Sequence, residues 1–169
     1  MRQRLPEAHL DAWRALLNSH AVLIGRVEDA LGEAGLPPLA WYDVLWPLHR
    51  APGRRLRMRD LAREVVILGR SGLTRLVDRL EAAGMLERHP VADDARGVEI
   101  AITADGSRML RRMWPVYERV LRDHVEGVLD DGQARVVAEL LGRLAREAGT
   151  PRPRRRMRAD GEIESRAPR

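Results

Sequence analysis

RSGLTRLVDRLEAAGMLERHPVADDARGVEIAIT, residues 70–103, changes its hydrophobic period halfway along. In the first half Leu73, Leu76, Val77 and Leu80 recur at spacings of three, four and seven, which lines one face of a helix. Arg70, Ser71, Thr74, Arg75, Asp78 and Arg79 take the remaining faces, and Gly84 is a natural C-terminal stop. In the second half MLERH (85–89) and VEIAIT (98–103) read as short strands, Val98, Ile100 and Ile102 alternating with Glu99 and Ala101. PVADDARG, residues 90–97, lies between them and reads as a hairpin loop longer than a tight turn. Two strands are not stable alone, so the hairpin must lean on the helices before it.

Upstream, LRMRDLAREV (56–65) predicts a short helix with Met58, Leu61, Ala62 and Val65 on one side, joined by VILG to the helix at Arg70. Residues 38–49 predict another, with Trp41, Val44, Leu45 and Leu48 inward, stopped by APG at 51–53. Before it, Leu10, Trp13, Leu17, His20, Ile24, Val27 and Leu31 alternate spacings of three and four. This is a heptad-like seam that needs a partner helix, and GEAGLPP (32–38) ends it. Downstream, Thr103 is placed to cap a helix over 104–128 in which Pro115 predicts a kink. A last helix starts at DDG (130–132) and ends near Gly149. Residues 150–169, rich in Pro and Arg with almost no large apolar side chain, predict a disordered basic tail.

The organisation expected is mainly α with a small β-hairpin. Residues 37–103 form a winged helix-turn-helix, 1–36 and 104–149 a helical dimerisation domain, and 150–169 the tail. Three helices followed by a hairpin place the last helix where it can enter a major groove. Its leucine stripe docks on the domain, while the short side chains of Ser71, Gly72 and Thr74 allow close approach. Arg70, Arg75 and Arg79 bring positive charge to phosphates or a bidentate grip on guanine.

Charge is distributed to match. The 169-residue chain carries a net charge of +5, and all 30 of its basic residues are Arg, a bias in which abundance alone says little about nucleic acid. Residues 50–96 hold 11 Arg against 7 acids, whereas 1–49 hold 4 against 6 and 97–149 hold 8 against 9. A basic middle between faintly acidic flanks is the footprint of an electrostatic partner.

Several function classes are excluded by inventory. Without Cys there is no disulfide, thiolate nucleophile or thiol redox sensor. His9, His20, His49, His89 and His124 lack tight ligand spacing, so no metal is expected, and no other cofactor motif appears. H-E-x-x-H, P-loop, G-x-S-x-G and G-x-G-x-x-G motifs are absent, and the expectation is a non-enzyme. No apolar run reaches the roughly 18 to 20 residues of a membrane span, and the N-terminus lacks a signal core, so no membrane partner and a cytoplasmic location are expected.

Residues 59–106 resemble the DNA-binding region of the MarR family of bacterial transcriptional regulators. The likeness lies in the TRLVDRLEAAGMLER core, the Asp-x-Arg-Gly wing at Asp94, Arg96 and Gly97, and the Thr103–Gly106 boundary opening a long helix. The resemblance implies a homodimer with interleaved terminal helices, presenting two winged helices to a pseudo-palindromic double-stranded operator. It assigns base and phosphate contacts to Arg70, Ser71, Thr74 and Arg75, and a minor-groove contact to the wing-tip Arg96. Asp94 either orients Arg96 or only shapes the turn. One departure is that EVVILGRSG is a residue longer than the family's usual connector, with Gly69 at a position where Ser or Asp often caps, which leaves two registers open for Arg70 and Ser71.

The same resemblance implies repression relieved by a small aromatic or phenolic ligand. Trp13, His20, Trp41 and Trp46 are the candidate walls of its pocket, with core or interface packing as their other reading. The competing function is a winged-helix module for protein assembly whose tail, PRPRRRMR, supplies nonspecific affinity for nucleic acid.

Overall fold

The first helix needs its partner mostly along its C-terminal half. The computed structural model describes residues 4–65, 70–91 and 94–149. In it α1 (Glu7–Glu33) buries Val27 and Leu31 and half-buries Ile24, while Trp13, Leu17 and His20 of the same heptad seam stay exposed. The seam therefore serves two purposes along its length, packing within the unit at one end and standing free at the other.

α2 (Leu39–Arg50) is the centre of the core: Leu39, Tyr42, Val44, Leu45 and Leu48 are all buried. Its first turn has Pro38 at the cap position, which offers no side-chain acceptor. Glu28 of α1 supplies one instead, both carboxylate oxygens lying 3.2 Å from the Leu39 amide. A negative charge at a helix N-terminus also suits the helix dipole. Trp41 is partly buried against the core, and its neighbour Tyr42 takes the interior position.

The chain then turns through Gly53, at φ +64, and Arg54, at φ +56, into β1 (Arg55–Arg57), a strand where helix is expected from residue 56. Three residues are too few to show an alternating pattern, so only pairing with a distant strand reveals this one. α3 (Met58–Glu64) follows and buries Leu61, with Val65 buried just beyond it. α4 (Arg70–Ala82) buries Leu73, Leu76, Val77 and Leu80, the full predicted stripe. Each contributes roughly 1.5 to 3 kcal/mol of transfer free energy.

α4 ends as its sequence requires. Gly84 adopts φ +72, and the Met85 amide donates back to the Leu80 carbonyl at 2.9 Å, closing the last turn. β2 (Leu86–Val91) and β3 (Asp94–Ile102) form an antiparallel hairpin with Leu86 opposite Ile102, and an irregularity follows Pro90. The strands extend further than the sequence suggests, so residues 90–91 and 94–97 are strand and not loop. β1 pairs with the free side of β3, giving a three-stranded sheet in the order β1-β3-β2. Ile100 and Ile102 face the core, which is how the hairpin finds the support it needs.

Thr103 links the wing to the next helix. Its hydroxyl donates to the Gly84 carbonyl at 2.8 Å and accepts from the Gly106 amide at 3.0 Å, capping α5 (Ala104–Leu121). α5 packs on α1 and α2 and stays helical through Pro115, which lies on its exposed side. A π-helical turn over Arg122–Glu126 follows it.

One compact unit runs to Val128, and a second starts at Leu129. Within the second, α6 (Asp131–Gly149) is opened by a reciprocal cap: the Gln133 amide donates to Asp130, and the Asp130 amide donates to the Gln133 side chain. Val136, Val137, Leu140, Leu141 and Leu144 form an apolar stripe along it, all 39 to 60% exposed.

Candidate nucleic-acid interface and ligand cavity

The outward face of α4 carries Ser71, Thr74, Arg75, Asp78 and Arg79, all exposed, directly opposite the buried leucines. Arg75 Nε donates to the Ser71 carbonyl at 3.4 Å, which draws the guanidinium back along the first turn of the helix. Ser71, Gly72 and Thr74 leave that first turn low, so backbone can approach a groove floor there. α4 begins at Arg70, whose side chain lies outside the described residues, as do those of Asp94 and Arg96. The connector 66–69, with the register question at Gly69, and the tail 150–169 also lie outside them.

Acidic side chains on this helix would repel phosphates, and the wing neutralises them. Arg88 on β2 donates to Asp78 at 2.5 Å through Nη2 and to Glu81 through Nη1. Burial opposes the charge on Arg88, but the hydrogen bonds and fields of Asp78 and Glu81 outweigh it and raise the guanidinium above its ordinary value. The outcome is a strut between the edge strand β2 of the wing and the C-terminal half of α4. Among the described residues it leaves Arg75 and Arg79 as the charges of α4 without an acidic partner. Elsewhere in the unit Arg54, Arg55, Arg59 and Arg63 are exposed, Arg55 paired with Glu99 at 3.7 Å and Arg59 and Arg63 with Asp60 at 3.8 and 3.1 Å.

A cavity of about 660 Å³ opens between α2, α5 and the segment around β1 and α3. Its walls include Tyr42, Trp46, Trp114 and Tyr117. Tyr42 stacks on Trp46 at 5.7 Å and on Trp114 at 6.3 Å, while Tyr117 meets Tyr42 edge-on at 5.3 Å. Burial, then Tyr117 and Asp43, push the Tyr42 phenol up to about 12, so it is a neutral hydrogen-bonding group at physiological pH.

Of the four residues expected to line such a pocket, only Trp46 does. Trp13 is 57% exposed on the N-terminal half of α1, His20 is exposed on the same helix, and Trp41 packs on the core. Tyr42, Trp114 and Tyr117 escaped the sequence reading. The signal available was the three-residue spacing of Trp114 and Tyr117, which sets both on one side of a helix. No group of three or more potential metal-binding side chains converges among the described residues.

Residues 34–97 match the model of the MarR family. The chain is 32% identical over 89 residues to the HTH-type transcriptional regulator PecS of Dickeya dadantii (strain 3937), a match covering 53% of this chain and 49% of PecS. It thus spans about half the length of that relative. With the HTH-type transcriptional regulator FarR of Neisseria gonorrhoeae it is 29% identical over 134 residues, 78% of this chain and 86% of FarR. Among solved structures, Sco3205 of Streptomyces coelicolor, a MarR family transcriptional regulator in complex with DNA, superimposes with a TM-score of 0.80 at 27% identity. That likeness covers 89% of this chain and 93% of Sco3205. The fold, the matched region and these relatives agree: over residues 34–97 the chain is similar to the MarR family, and its fold is that of MarR family winged helix-turn-helix transcriptional regulators.

Proposed function

We propose that this protein is a homodimeric regulator that binds a pseudo-palindromic operator in the cytoplasm, represses transcription there, and is released by a small aromatic or phenolic ligand. The observation that carries the reading is α4 itself, fully buried along Leu73, Leu76, Val77 and Leu80 and fully open along Ser71, Thr74, Arg75 and Arg79. In this reading α4 enters the major groove, with Arg70, Ser71, Thr74 and Arg75 at base edges and phosphates and Arg79 on the backbone, while Arg96 reaches the minor groove, oriented by Asp94. DNA binding by Sco3205, which shares the fold over most of both chains, supports it.

Dimerisation is supported by two exposed apolar surfaces, Trp13, Leu17 and Val22 on α1 and the stripe on α6. Removing such surfaces from water is what a C2 partner does. No helix among the described residues is long and apolar enough to cross a membrane. The aromatic cavity supports the ligand, its volume lying within the usual range for small-molecule sites.

The test compares Arg96→Ala with Arg154→Ala on a duplex carrying an inverted repeat from the DNA flanking the coding region. Arg96→Ala is expected to weaken specific binding by about 1 to 3 kcal/mol, and Arg154→Ala to have little effect. Equal, sequence-blind losses from both would instead support an assembly module whose basic tail binds nucleic acid nonspecifically.

A further inference from the structure

We propose that the aromatic cavity takes an aromatic ligand bearing a positive charge, an amine or amidine, with Asp43 as its counter-ion. This rests on the reading of the cavity as a ligand site and names the chemistry it selects.

The charges around the cavity favour a cation. Asp43, Glu64 and Arg50 are its ionisable lining apart from the two tyrosines. Glu64 and Arg50 are exposed at the mouth, whereas Asp43 is half-buried among the rings. Asp43 has no hydrogen-bond or ion-pair partner among the described residues, and the nearest charge acting on it is a like one, Glu28. Burial first, and Glu28 second, raise its carboxyl above the ordinary value. A half-buried carboxylate without a donor is an unfilled demand for positive charge.

The rings meet the same demand from the other side. Trp46 and Trp114 both stack on the buried Tyr42 and are themselves partly exposed, and the quadrupoles of such rings attract cations over their uncovered faces. One such contact already exists within the chain: the Arg50 guanidinium lies over Trp46, 5.9 Å from the ring centroid. An aromatic acid would set its carboxylate near Asp43 and meet repulsion unless Arg50 left the Trp46 face to pair with it. An aromatic cation meets the unpaired Asp43 carboxylate directly, without needing Arg50 to leave Trp46.

Three probes of nearly equal size and shape separate the possibilities: tyramine, 4-ethylphenol and 4-hydroxyphenylacetate, carrying positive, zero and negative charge. Each is titrated by calorimetry into the full chain and into Asp43→Asn at neutral pH, with thermal melts confirming that the variant is folded. Tyramine is expected to bind about tenfold or more tighter than either other probe, and Asp43→Asn to abolish that preference. A smaller preference, tighter binding of the phenol or the acid, or a preference that survives Asp43→Asn overturns the proposal while leaving the cavity a ligand site. Absence of binding by all three overturns both readings.

Discussion

Arg88 of β2 and Asp78 of α4 are joined across ten residues of sequence by a 2.5 Å hydrogen bond, and the second terminal nitrogen of the same guanidinium holds Glu81. The two acids lie three apart, hence on one side of the helix, at the spacing a planar fork spans. A leucine stripe fixes which face of α4 is buried but resists rocking about that stripe only weakly. The fork adds a lateral constraint from the wing, so that α4 and the hairpin present themselves to DNA at one angle.

Arg88→Ala is therefore expected to weaken operator binding about tenfold while lowering stability by only about 1 kcal/mol, the scale of a partly exposed ion pair. Arg88→Lys keeps the charge but cannot bridge two acids with one planar group, and should recover less than half of the lost binding free energy. Fluorescence anisotropy on a labelled operator at fixed salt, with urea denaturation alongside, checks both. Binding unchanged in Arg88→Ala would remove the strut from DNA recognition.

The two faces of α4 should separate under mutation. Leu76→Ala, at 2% exposure, is expected to cost roughly 2 to 5 kcal/mol of stability. Arg75→Ala should leave the melting curve nearly unchanged and cost about 1 to 3 kcal/mol in operator binding. Circular dichroism melts and anisotropy titrations on the same preparations distinguish them.

Gly106 is required by a close approach rather than by backbone freedom. A Cβ there would lie 2.1 Å from the Met85 carbonyl oxygen and 2.8 Å from Ile102 Cγ1. Because the nearer atom is backbone, Gly106→Ala must displace the start of α5 from the base of the wing, at a cost of about 1 to 3 kcal/mol or more. Thr103→Ala, which loses the cap and the bond to Gly84, should cost about 1 kcal/mol, with Thr103→Ser close to wild type. Chemical denaturation of the three variants ranks them.

Asp43→Asn is expected to stabilise the protein at neutral pH. Its folded carboxyl is raised above the ordinary carboxylate value by burial and then by Glu28, so the native state holds the proton more tightly than the unfolded chain. Ionisation therefore costs stability above the folded value, and that cost vanishes below the unfolded one. The gain from Asp43→Asn should be present at pH 7 and shrink as pH falls toward 4. Melting temperatures across that range check it, and a gain independent of pH would contradict the assignment.

Periodicity alone was enough for α4 and its end. Leu73, Leu76, Val77 and Leu80 are buried because a stripe at helical spacing has one way to leave water, and Gly84 ends the helix because its left-handed conformation is cheap for glycine. The alternation of Val98, Ile100 and Ile102 likewise announced a strand, and Thr103 its cap. These are local rules, satisfied within one or two turns of chain.

Other features needed contacts between residues far apart in sequence. β1 is strand only because β3 offers its free edge, and three residues cannot signal that by themselves. Trp13 and Trp46 are alike as letters, yet one stands exposed on α1 and the other lines a cavity, since that cavity exists only where α2, α5 and the β1–α3 segment meet. Asp43 and Arg88 gained their meaning the same way, one from a half-buried place that gives it no ion-pair partner among the described residues and the other from two acids on a different element. Sequence by itself determined which residues leave water, because that depends on local period. Only the tertiary structure decided which polar groups meet, because electrostatic partners are chosen by distance in space and not by spacing along the chain.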